Sequence, residues 1–109
     1  MNSQNDKNIF MQHLTLYYSD LETAQKYCKT VMKTLDIGDF NIFQEKCQTF
    51  IDNIPDLKYI CISPDTLSYT FRHYLYKVSN SEISMKDAYQ YFQQVYINLG
   101  KTMKNIKLA

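Results

Sequence analysis

Two histidines, three cysteines and ten tyrosines are the residues of this chain best equipped to do chemistry, and their spacing sets the limit on what they can do. His13 and His73 could act as bases or metal ligands, because imidazole changes charge near neutral pH. No His-x-x-x-His or Glu-x-x-His spacing surrounds either one, and no nucleophile of recognisable context stands beside them. Both are therefore expected to serve the surface or the fold. Cys28, Cys47 and Cys61, separated by 19 and 14 residues, form neither a disulfide framework nor a Cys-x-x-Cys zinc site. Each lies among apolar neighbours, an environment that raises a thiol's pKa and makes it inert. The segment from Ser79 to Ala88 lacks the alternating aspartates and glycine of a calcium loop. No catalytic residue, metal site or cofactor is expected.

The tyrosines carry more promise. Tyr69, Tyr74, Tyr76, Tyr89, Tyr91 and Tyr96 crowd into two neighbouring segments, more than one helix face can bury. An amphipathic ring is cheap to expose and effective in recognition, so a tyrosine-rich surface suggests a protein-binding patch. The plainer alternative is a wide core bordered by tyrosines.

The elements that position these rings read as a helical hairpin. Ser63, Pro64 and Asp65 supply an N-cap, a first-turn proline and an acid at the helix start. Leu67, Phe71, Tyr74, Leu75 and Val78 then recur at the helical interval, until Ser79, Asn80, Ser81 and Glu82 make a turn. Ser84 and Asp87 resemble a capping box, and Ala88, Phe92, Val95 and Leu99 carry the second stripe.

Upstream, a first helix is expected from about Lys7 to Tyr18, after a frayed lead-in over residues 1–6. Ser19 and Glu22 look like a capping box that opens a second helix, striped by Leu21, Ala24, Cys28, Val31, Met32 and Leu35 and stopped by Gly38. Asp39 can cap a third, whose buried stripe is Phe40, Phe43, Cys47, Phe50, Ile51 and Ile54, with Pro55 as its stop. Residues 57–62 are a buried connector, helical or extended. Residues 101–109 form a tail that extends the last helix or follows it. The fold class expected is all-α: an antiparallel four-helix bundle with an additional short helix or connector, in one domain over residues 1–109.

Composition narrows the partners. With 12 basic against 11 acidic residues and a single arginine, Arg72, the chain offers little field or bidentate recognition for phosphate, so nucleic acid is not an expected partner. No apolar run approaches a membrane span, and the odd cysteine count suits a reducing cytosol, so the expected location is cytoplasmic.

His73, Tyr74, Leu75 and Tyr76, a short polar turn, Ile83, Ser84 and Met85 opening a helix, and Leu99, Gly100, Lys101 and Thr102 near its end together resemble the C-terminal half of the immunity proteins of pediocin-like bacteriocins. The resemblance covers the hairpin; the N-terminal half shares only helicity and length. It implies a small cytosolic antiparallel four-helix bundle that protects the producing cell by binding, not by catalysis. The partner it implies is a membrane sugar-permease receptor engaged by the bacteriocin, with the C-terminal half governing specificity. Carried onto this chain, the binding role would fall on Arg72, Tyr76, Lys77, Tyr89, Tyr91, Lys101, Lys104 and Lys107. A rival reading of another class is a helical adaptor or inhibitor from a phage, plasmid or eukaryotic complex that binds a soluble protein. A third is a small enzyme using His73, which full activity of His73→Ala would remove.

Overall fold

The computed structural model describes the backbone of residues 3–57 and 64–106, and the side chains of 9–57 and 67–106. Four helices run α1 (Ser3–Ile37), α2 (Phe40–Asn53), α3 (Pro64–Ser79) and α4 (Met85–Lys104), with a 3₁₀ turn over Ile54–Asp56 after α2. No strand occurs among the described residues, and the architecture is the expected all-α four-helix bundle. No helix among them is long and apolar enough to cross a membrane.

Each helix boundary has a local cause. Gly38 takes the left-handed backbone (φ 82) that ends α1, its N–H reaching the carbonyls of Thr34 and Leu35 at 3.2 and 3.1 Å. Asp39 then caps α2, its carboxylate accepting from the Ile42 N–H at 3.2 Å. Pro55 lies inside the 3₁₀ turn, which tightens the end of α2. Ser84 caps α4 by accepting from the Asp87 N–H at 3.0 Å. A Cβ at Gly38 would touch nothing, so Gly38→Ala should cost only the left-handed backbone penalty, about 1–2 kcal/mol, read from the urea midpoint.

Two expected boundaries are corrected. α1 begins at Ser3, not Lys7, and it does not break at Ser19. The Ser19 carbonyl accepts from the Thr23 hydroxyl at 3.1 Å within one uninterrupted helix. Residues 3–37 contain neither glycine nor proline, so a residue able to cap has nothing to stop it from propagating the helix instead. At the other end, residues 101–104 belong to α4, which passes through Gly100 without a break. The Ser63 cap, most of the 57–62 connector and Cys61 lie outside the described residues.

Neighbouring helices are antiparallel. Gln25 of α1 donates to the Tyr96 carbonyl of α4 at 3.3 Å, while Asp36 lies beside Tyr89. Tyr27 stacks on Phe50 of α2 at 4.3 Å, Phe50 meets Phe71 of α3 edge-on at 6.3 Å, and Phe71 meets Phe92 of α4 at 5.0 Å. Residue size sets the spacing between helices. Gly100 on α4 allows a close approach to α1, since a Cβ there would come within 3.0 Å of the Gln25 amide nitrogen. α3 and α4 are held apart by the rings between them. Phe43, Phe71 and Phe92 are fully buried at the centre, with Leu21, Ile54, Val31 and Leu99 around them.

Candidate binding surface

Tyr69, Arg72 and Tyr76 recur at intervals of three and four along α3, which puts them on one side of that helix, away from buried Leu67, Phe71 and Val78. Tyr69 and Tyr76 are 64% and 63% exposed, and Arg72 is exposed between them. From Tyr69 a row of rings runs across the hairpin toward the core. Tyr69 stacks on His73 at 5.4 Å, His73 meets Tyr74 edge-on at 5.2 Å, and Tyr74 stacks on Tyr91 of α4 at 4.8 Å and 12°. Tyr74 also packs against Phe92 at 5.6 Å, so the row is anchored in the core. Burial pushes the Tyr74 phenol above its ordinary pKa, with Tyr91 and Tyr69 adding repulsion, so it stays a neutral hydrogen-bonding ring in the physiological range. What results is a pre-arranged aromatic surface edged by one guanidinium, the residue types that dominate protein recognition.

The residues expected at the site do not form a single group. Arg72, Tyr76 and Tyr91 belong to this surface, Tyr91 through its stack on Tyr74. Lys77 is half-buried at the end of α3, where its carbonyl takes the Glu82 and Ile83 N–H groups that close the turn. Tyr89 is half-buried on the side of α4 that faces α1, not on the outer hairpin. It lines a cleft of about 480 Å³ with Leu35, Asp36, Lys86, Gln90 and Gln93. Lys101 and Lys104 are exposed, but Lys101 lies ten residues beyond Tyr91, about 15 Å along the helix axis. Lys107 lies outside the described residues. Tyr69, one of the tyrosines that suggested a patch, and His73, expected to serve the surface or the fold, were not among the residues given the binding role. Their signal was the i, i+4 spacing, which stacks two rings on one helix face.

The cysteines behave as their neighbours dictate. Cys28 and Cys47 are free and fully buried, and burial pushes both thiols up to about 12; the nearby Cys28 adds to the effect at Cys47. Among the described residues no group of three His, Cys, Asp or Glu could hold a metal ion. Comparison of the chain with protein-family models, curated proteins and solved structures finds no match.

Proposed function

We propose that this chain is a non-catalytic, cytoplasmic binding protein of the bacteriocin-immunity type. On this reading the outer side of the α3–α4 hairpin recognises a membrane receptor engaged by a bacteriocin and so protects the producing cell. The observation that supports the reading is the row of Tyr69, His73, Tyr74 and Tyr91, exposed at Tyr69 and Tyr91 and half-buried between them, flanked by exposed Arg72 and Tyr76, on the segment whose residues resemble that family. Stacked rings lose little rotamer freedom on binding, so such a surface can bind without a large ordering cost.

The test is a protection assay in a sensitive low-GC Gram-positive host challenged with a panel of pediocin-like peptides. The expected result is a selective rise in the inhibitory concentration of one peptide. Tyr69→Ser and Tyr76→Ser should each weaken protection about 5- to 30-fold, the cost of a recognition residue worth about 1–2 kcal/mol. Far-UV circular dichroism should not change, since both rings point to solvent. Lys101→Ala, well away along α4, should protect as the parent does. Absence of protection by folded, accumulated protein, with a stoichiometric soluble partner on pull-down, would replace this reading with that of an adaptor or inhibitor.

A further inference from the structure

The charges of this chain balance overall but not along it. The hairpin, residues 64–109, holds six basic residues against three acidic, whereas residues 1–63 hold six against eight. Of the hairpin's three acids, Asp65 and Asp87 fall in the first turns of α3 and α4, and Glu82 falls in the connection between them. At Asp87 the charge complements the helix start, a local reason for an acid there. The shafts carry none. Neither residues 67–81 nor residues 88–106 contain an aspartate or a glutamate, while Arg72, Lys77, Lys101 and Lys104 lie within them.

The aromatic surface therefore lies on a helix pair whose shafts are cationic or neutral. On α3, exposed Arg72 stands between Tyr69 and Tyr76, about 4.5 Å from one and about 6 Å from the other along the axis. Its planar fork takes a carboxylate through two parallel hydrogen bonds. The exposed rings of Tyr69, Tyr76 and Tyr91 end in hydroxyls that donate to the same kind of acceptor. No carboxylate of either shaft competes for these donors. A nucleic acid would ask more of this face. Its backbone needs a run of cations, whereas Arg72 is the one arginine of the chain and Lys101 lies about 15 Å along the axis from Tyr91. Its bases need open slots, whereas these rings are closed on one another at 4.8 to 5.4 Å.

We infer that the partner of this surface presents an acidic protein segment, with carboxylates set among apolar side chains. One carboxylate pairs with Arg72 between Tyr69 and Tyr76, and the apolar groups beside it lie against the rings. The ion pair supplies register and association rate, and the rings supply the buried area. The same arrangement refuses a basic segment, whose charge would meet Arg72 with no carboxylate on either shaft to offset it. The inference rests on the reading of this face as a binding surface and names the chemistry of what it binds.

Titration of the full chain with a soluble copolymer of glutamate and tyrosine, followed by amide chemical shifts, tests this. Shifts should concentrate at residues 69–77 and around Tyr91, with a dissociation constant of about 10 to 500 µM that weakens with salt. A copolymer of lysine and tyrosine should bind at least about tenfold more weakly. Arg72→Glu should weaken binding of the acidic copolymer at least about 20-fold, and Arg72→Lys about 3- to 10-fold, because lysine keeps the charge and loses the fork. Lys33→Glu makes the same change of charge on α1, which packs on α2 and α4, and should alter binding less than about twofold. Circular dichroism of all three variants should match the parent, since Arg72 and Lys33 are exposed. Equal binding of the lysine copolymer overturns the inference, as does an Arg72→Glu loss no larger than that of Lys33→Glu. Tighter binding to an oligothymidylate or to phosphatidylglycerol vesicles also overturns it, and would assign the face to nucleic acid or to a membrane. An acidic copolymer that does not bind overturns it too, and protection in the same cells would then leave the immunity reading standing. Copolymer binding without protection would keep this inference and end that reading.

Discussion

Phe92→Ala should lower the free energy of unfolding by about 3–5 kcal/mol, the range for emptying a buried phenylalanine site whose walls cannot fully collapse. Phe92 is fully buried and meets three other rings: Phe43 at 6.4 Å, Phe71 at 5.0 Å and Tyr74 at 5.6 Å. All three contacts are edge-on or steeply tilted, so each ring presents its positive edge to a negative face and adds about 0.5–1.5 kcal/mol beyond burial. The walls of the resulting cavity belong to three helices, α2, α3 and α4. A domain of this size has about 5–15 kcal/mol of stability in all, so the loss is a large fraction of it. Urea denaturation should show the midpoint falling with the slope unchanged. Phe50→Ala should cost less, because Phe50 is half-buried and its main partner is the Tyr27 ring on which it stacks. A Phe92→Ala loss under about 1.5 kcal/mol, no more than an exposed-ring value, would mean that the four rings do not form the centre of the core.

Phe92 and its neighbours were legible in the sequence because each lies on a stripe with a single periodicity and the stripe needs no knowledge of its partner. The same holds for Gly38, Asp39 and Ser84, whose roles depend on backbone groups a few residues away. Legibility failed where the answer depended on another element. Ser19 and Glu22 have the chemistry of a helix start, yet the chain passes through them as helix, because a cap marks an end only when something upstream stops the helix. Gly100 was read near a terminus, but it serves the close approach of α4 to Gln25 on α1. Tyr89 and Tyr91 are two residues apart and so point to opposite flanks of α4. Tyr91 flanks α3 and Tyr89 flanks α1, and nothing in α4's own sequence states which neighbour stands on which side.

Cys28 and Cys47 should react with a thiol reagent at pH 8 at least about 1,000-fold more slowly in the folded protein than in urea, measured on a Cys61→Ser background so that only these two thiols are counted. Burial holds both pKa values at about 12, and three units above the ordinary value leaves about a thousandth of the usual thiolate. Exclusion of the reagent from a fully buried site adds to that factor, so the reaction should proceed through opening of the fold. The same shift fixes the pH dependence of stability. A thiol whose folded pKa is raised stays protonated in the native state while the unfolded thiol ionises near pH 9. Above that pH the native state binds more protons than the unfolded one, and stability falls as pH rises toward the folded value. Each thiol contributes a slope approaching about 1.4 kcal/mol per pH unit, so between pH 8 and pH 10.5 the pair should remove about 4 kcal/mol. Tyr27 and Tyr74, both raised by burial, act in the same direction above their own ordinary range. Replacing both cysteines with alanine should therefore flatten the decline without abolishing it. A urea midpoint that does not move over this range, or native thiols that react within tenfold of the denatured rate, would place Cys28 and Cys47 in contact with water and out of the α1–α2 interface.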